Sequence, residues 1–267
     1  MQACCFTGFR WGGSPKGKEE RIADSDTYVT GTNKERAILI VHDGSGWQAQ
    51  NNRLLADHFA DEVDATVYLP DFFRGASFFS FLPQNVKEDI MSGKPFDFAD
   101  FMSKNPDVIG KFMGANTKDI RKPELFAVAK ELKSKYKRVG ATGYCWGGWA
   151  CFQLGGKGED LVDCVTVAHP AMLTTEEIDN IGVPIQIHAP ENDFTFTPEL
   201  KAYSLEKIPK LNLPFSYQLH PGQEHGFASR GNQNDPREMK AMILAKDLTA
   251  AWFRVFLNVD EEKSKKQ

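Results

Sequence analysis

Runs that are apolar at every position alternate along this chain with longer segments whose apolar residues fall at helical spacing. Ala37-Ile38-Leu39-Ile40-Val41 is apolar throughout, which predicts a strand buried on both faces and therefore central in its sheet. Asn51 to Ala60 then carries apolar residues at helical period, and Ala65 to Pro70 reads as a second strand. Strand, helix, strand in that order is a βαβ unit. It implies α/β architecture: a mainly parallel sheet flanked by helices on both faces. Further strands are predicted at Arg138 to Tyr144, Leu161 to Ala168, Pro184 to Ala189 and Phe215 to His220. Lys118 to Tyr136 and Pro236 to Leu257 read as long amphipathic helices, the second burying Met239, Met242, Ile243, Ala250, Phe253 and Leu257. Thr27 to Thr30, followed by Gly31-Thr32-Asn33-Lys34, predicts a hairpin with the Ala37 strand.

The same pattern assigns a single domain over 1–267. Residues 1–25, rich in Gly, Lys and Glu, read as an irregular arm, and 260–267 as a charged, frayed tail. Between 71 and 119 the periodicity breaks and phenylalanines crowd together, among them Phe72, Phe73, Phe78, Phe96 and Phe112. This predicts an excursion over the sheet in which most rings fasten short helices to the core, with an apolar substrate lining as the other reading.

Composition narrows the function classes. The chain has 267 residues, is 41% hydrophobic and 25% charged, and carries a net charge of −4. No apolar run approaches the ~20 residues that span a bilayer, so no membrane partner is expected. The charge gives no electrostatic case for nucleic acid. Met1 to Phe6 lacks a basic region followed by an apolar core, so no signal peptide is expected. Five cysteines is an odd number without regular spacing, which favours a reducing, cytoplasmic setting. Cys4 and Cys5 lack partners at metal-ligand spacing, so they read as incidental rather than zinc-binding.

Chemistry concentrates in Gly143-Tyr144-Cys145-Trp146-Gly147-Gly148, where a strand runs into a Gly-x-Cys-x-Gly turn and then an apolar helix. That is the context of a nucleophile elbow with sulfur in place of the serine oxygen, and Cys145 is the candidate nucleophile. The flanking glycines remove Cβ atoms that would collide with the neighbouring strand or helix. Trp146 opens the helix, so its N–H is placed to face a developing oxyanion, and the helix end favours the thiolate. An isolated pattern of this kind is as often a buried cysteine beside a glycine-rich turn, and only a base and an acid elsewhere separate the two. Asp193 on the loop after one late strand and His225 on the loop after the last supply them, in the chain order of α/β-hydrolases. His42, His169 and His188, at or near strand ends, read as core histidines, His58 as a surface residue, and His220 as preceding the loop of His225.

With these residues in place the sequence resembles the dienelactone hydrolase family, carboxymethylenebutenolidase-like members of the α/β-hydrolase fold. The likeness is densest at Asp43-Gly44-Ser45-Gly46-Trp47 with Asn52 to Asp57, at Leu69 to Gly75, at Gly143 to Gly148 and at Pro221 to Phe227. The resemblance implies Cys145 as nucleophile, His225 as base and Asp193 as its partner, acting on small esters or lactones without metal or organic cofactor. It maps the oxyanion hole onto the N–H groups of Gly44 and Trp146. Bacterial members hold the resting thiol with a glutamate where this chain has Asp43, one methylene shorter, so the resemblance implies a thiol-gating role there. The resemblance also implies Arg74 and Arg230 as counterparts of arginines that hold a substrate carboxylate in the family, with ordinary surface arginines as the equal reading.

The expected activity is a cofactor-independent hydrolase working through a Cys-His-Asp triad and an acyl-thioester, with a small-molecule ester or lactone as partner and a monomer or homodimer as the assembly. A non-catalytic or redox-sensing homologue, with Cys145 as a reactive thiol and Cys151 as its resolving partner, is the alternative, and a cysteine peptidase fits the elbow context less well.

Overall fold

In the computed structural model, residues 10–91 and 98–258 are described. Cys4, Cys5, Phe96 and the tail 260–267 lie outside them. Eight strands of the described residues form one sheet: β1 (Lys18–Ile22), β2 (Ser25–Thr30), β3 (Arg36–Val41), β4 (Thr66–Pro70), β5 (Arg138–Tyr144), β6 (Cys164–Ala168), β7 (Ile185–Asn192) and β8 (Phe215–Glu224). Their spatial order is β1-β2-β4-β3-β5-β6-β7-β8. β2 runs antiparallel to both of its neighbours, and every other pairing is parallel. The helices are α1 (Gln50–Val63), α2 (Gln84–Met91), α3 (Phe98–Lys104), α4 (Pro106–Ala115), α5 (Lys118–Lys135), α6 (Gly147–Leu154), α7 (Thr175–Asp179), α8 (Pro198–Lys207), α9 (Phe227–Arg230) and α10 (Pro236–Phe256).

β3 shows why a strand here must be apolar at every position. Side chains alternate between the two faces of a strand. Ala37, Leu39 and Val41 join the core that contains Leu125 and Val128 of α5 and Trp149 of α6. Ile38 and Ile40 join the opposite core with Phe59 of α1 and Phe253 of α10. Both cores require β3, so any polar residue within it would be buried on one side or the other. No helix among the described residues is long and apolar enough to cross a membrane.

Three local expectations are corrected. β2 does not form a hairpin with β3, because β4 lies between them. Gly31, at φ +82, passes so close to the start of β4 that a Cβ there would lie 2.1 Å from the Ala65 carbonyl oxygen. The chain therefore steps flush across β4, and β2 turns instead through Ala23 and Asp24, both at positive φ, onto β1. The arm is consequently not irregular to residue 25, since Lys18–Ile22 is a strand. On α10, Ile243 is 42% exposed rather than buried. That helix begins as its sequence suggests, with Pro236 in the first turn and the Asp235 carboxylate accepting from the N–H groups of Arg237 and Glu238.

In the excursion, Phe72, Phe73, Phe78 and Phe112 are buried, and Phe73 meets Phe112 edge to face at 5.1 Å between ring centres. These rings fasten α4 and the 3-10 turn Phe78–Phe81 to the sheet. Glycine or polar loops follow the carboxyl ends of β3, β5, β6, β7 and β8, and all five lie on one edge of the sheet, where ligands of such folds bind.

Candidate active site

Cys145 occupies the turn between β5 and α6 at φ +51. Left-handed backbone is costly for a residue with a side chain, so the surroundings must hold it. Its N–H donates to the Ala168 carbonyl and to His169 Nδ1, each at 3.2 Å. Its carbonyl accepts from Ala171 N–H at 2.8 Å and from Gly148 N–H at 2.9 Å. The glycines set the approach: a Cβ at Gly143 would lie 2.1 Å from Gly147 O, and one at Gly147 would lie 2.1 Å from Val41 O. β5, α6 and the end of β3 therefore meet backbone to backbone, which brings the Gly44 loop alongside Trp146. Trp146 is the N-cap of α6, so its N–H precedes the ladder of that helix.

Asp193, in the loop closing β7, and His225, just past β8, form the second half of the site. His225 Nδ1 donates to both Asp193 oxygens, at 3.0 Å each, and neither side chain is exposed. The carboxylate is fixed before it meets the imidazole, because Asp193 Oδ1 accepts from Thr195 N–H at 2.8 Å and Phe196 N–H at 3.1 Å. Burial pushes the Asp193 carboxyl up, but His225 and these backbone donors outweigh it and hold the group at about 2. Burial likewise opposes charge on His225, yet the Cys145 thiolate and the Asp193 carboxylate together raise it to about 9. Among the described residues, His225 Nε2 is buried without a hydrogen-bond partner of standard geometry. Cys145 is nonetheless near enough to favour its charge.

Asp43 is fully buried and heavily engaged. Oδ1 accepts from Ser45 N–H at 3.0 Å, from the Ser45 hydroxyl and from Asn52 Nδ2 at 3.3 Å. Oδ2 accepts from Ser229 Oγ at 2.7 Å and is paired with Arg230. Burial raises its pKa, and Arg230 with the two serines more than reverses that, leaving it well below the usual carboxylate range. Arg230 is thus a buried partner of Asp43 rather than a surface residue. Arg74, at φ +53, pairs with Glu124 at 3.3 Å and donates to the Asp24 carbonyl. It lines an open cavity of about 430 Å³ with Ser45, Trp47 and Asp71.

Two further residues belong to this neighbourhood. Thr195 Oγ1 lies 2.8 Å from Asp193 Oδ1 and 3.0 Å from His225 Nδ1; a Thr two positions after an Asp at a strand end is the signal of a side-chain-closed turn. His169 accepts from the Cys145 amide, as described above, and its ring centre lies 5.0 Å from that of His225.

The family model for the dienelactone hydrolase family matches residues 25–257. The chain belongs to the dienelactone hydrolase family. Among its relatives, Hydrolase tropI of Talaromyces stipitatus is 30% identical, with 96% of each chain covered. The carboxymethylenebutenolidase homolog of Homo sapiens is 27% identical over 86% of each. The dienelactone hydrolase-like promiscuous phosphotriesterase P91, from metagenomic libraries, superposes with a TM-score of 0.62 at 13% identity, covering 91% of this chain and 99% of its own. The fold is accordingly that of an α/β-hydrolase. Family membership places the chain among hydrolases of carboxylic esters.

Proposed function

We propose that this chain is a cofactor-independent hydrolase of small esters or lactones that uses Cys145 as nucleophile, His225 as proton shuttle and Asp193 as the partner of His225. The observation that carries this reading is the His225 imidazole: Asp193 clamps its Nδ1, its Nε2 is buried without a standard partner, and its charge is favoured by the Cys145 thiolate. In the first half-reaction the thiolate attacks the carbonyl carbon, and the resulting oxyanion accepts from the N–H groups of Trp146 and Gly44. The intermediate collapses with loss of the alkoxide, which takes the proton from His225 Nε2 and leaves a thioester on Cys145. Neutral His225 then draws a proton from water as the water attacks the thioester. Breakdown releases the acid and restores the thiolate beside the imidazolium. With a lactone, the leaving hydroxyl stays tethered to the acyl group.

Arg230 and Arg74 already have acidic partners, Asp43 and Glu124, so a substrate carboxylate would compete with these for either cation. Uncharged esters are the better match. Cys151, the resolving thiol that a redox role would need, is fully buried, and burial pushes its pKa up, away from the reactive thiolate. The test is turnover of p-nitrophenyl acetate with intact-mass detection of the enzyme. Wild-type protein should show an acetyl adduct on Cys145, and Cys145→Ala should show neither adduct nor turnover; undiminished activity in that variant would exclude the thiol mechanism.

A further inference from the structure

The segment Ala168-His169-Pro170-Ala171 lies between the nucleophile turn and the acid–base pair and touches both. Ala168 O and His169 Nδ1 take the Cys145 N–H, and Ala171 N–H returns to the Cys145 carbonyl. On the other side, the Pro170 carbonyl accepts from Thr195 Oγ1 at 3.2 Å, the hydroxyl that also contacts Asp193 and His225. At the centre of this wedge, His169 holds φ +41, a conformation that is costly for a residue with a β-carbon. Its own N–H is tied to the His188 carbonyl at 3.0 Å.

The His169 ring is fully buried and packed by aromatic neighbours, edge to face with His225 at 5.0 Å and with Phe227 at 5.8 Å, and tilted against Tyr144 at 6.1 Å. Because Nδ1 accepts from a backbone N–H, it carries no proton, so the neutral ring must hold its proton on Nε2. Burial first, then the positive charges of His225 and Arg230, disfavour the imidazolium, while Asp193 and Asp43 only partly offset them. Nε2 is buried and has no hydrogen-bond partner among the described residues. A buried donor without an acceptor is costly in the resting protein. Its position beside the base and the nucleophile makes a ligand atom the natural acceptor.

We propose that His169 is a fourth working side chain of this site: a neutral imidazole that positions Cys145 through its amide and donates its Nε2–H to an oxygen of the bound ester. The assignment rests on Cys145 being the nucleophile. It predicts that a ring of similar size without nitrogens keeps the packing and loses both bonds, whereas glutamine keeps an acceptor and a donor.

The experiment compares wild-type protein with Cys145→Ala, His169→Phe and His169→Gln, using p-nitrophenyl acetate turnover and the rate of Cys145 alkylation by iodoacetamide. His169→Phe should lower kcat/KM about 10–100-fold, and His169→Gln should restore it to within about fivefold of wild type because both hydrogen-bonding functions return. Nitrogen-15 NMR of the histidines in the wild-type protein reads the tautomer without any substitution, and His169 should carry its proton on Nε2 from pH 6 to 8. Wild-type kcat/KM in His169→Phe, with Cys145→Ala inactive, overturns the role of His169 alone. A proton on Nδ1 does the same. Turnover surviving in Cys145→Ala overturns the nucleophile and the His169 assignment together.

Discussion

His225 is under opposing pressures: its burial disfavours a positive charge, while Cys145 and Asp193 favour it strongly enough to lift it from the ordinary 6.5 to about 9. A group raised on folding stabilises the protein fully below its ordinary value, and that contribution is lost as pH rises through the folded value. The window here runs from about 6.5 to about 9. Asp193 has the opposite sign: held at about 2, below its ordinary 3.8, it stabilises the fold above the carboxylate range and loses that contribution as pH falls toward 2. The alkaline limb of kcat/KM should accordingly lie near pH 9. Asp193→Asn removes one of the two groups that hold up the imidazolium, so the limb should move to lower pH while kcat falls on the order of a thousandfold. Rate profiles between pH 5 and 10 for the two proteins check both statements, and an unmoved limb would remove Asp193 from the pair.

At the scale of elements, the elbow depends on the absence of atoms. A Cβ at Gly147 would meet the Val41 carbonyl oxygen at 2.1 Å and its carbon at 2.8 Å; these are backbone atoms of β3, and no rotamer change relieves the clash. Gly147→Ala should cost about 1–3 kcal/mol, the usual range for overpacking, and should reduce turnover as α6 shifts away from β3. Gly110, in α4, has nothing among the described residues within 4 Å of the same position, and Gly110→Ala should be neutral or stabilise by about 0.5–1 kcal/mol. Urea midpoints measured on both variants test the contrast. The elbow was legible in the sequence because strand, turn and helix are local and the glycines have one purpose. The hairpin reading of β2 failed for the converse reason: pairing with β4 instead of β3 is decided by contacts distant in sequence, and the Gly31 to Lys34 stretch looks the same whether the chain folds back or crosses a neighbour. Asp193 and His225 were legible from their places after strands. The bond from the Cys145 amide to His169 was not, since it joins two loops whose own composition gives no sign of the contact.

Across the whole molecule, Asp43 connects the first half of the sheet to the last. It follows β3, while Ser229 and Arg230 belong to α9, just beyond His225, so one buried carboxylate ties the Gly44 loop to the segment that carries His225. The Asp43 side chain is 0% exposed and that of Arg230 is 7% exposed. Removing one member of such a pair leaves an uncompensated buried charge, which typically costs about 3–5 kcal/mol. Arg230→Met should therefore lower the urea midpoint sharply, while the double variant Asp43→Asn, Arg230→Met should recover part of the loss, because no lone charge remains. The two substitutions should be non-additive by about 0.5–3 kcal/mol, as for residues in direct contact. Salt distinguishes this from a surface effect: a buried pair is only weakly screened, so the gap between wild type and Arg230→Met should persist in 1 M NaCl. If the gap closes with salt, or if the two substitutions simply add, Asp43 and Arg230 do not act as one link, and the bond from Ser229 Oγ to Asp43 is the contact left to hold the Gly44 loop against the His225 segment.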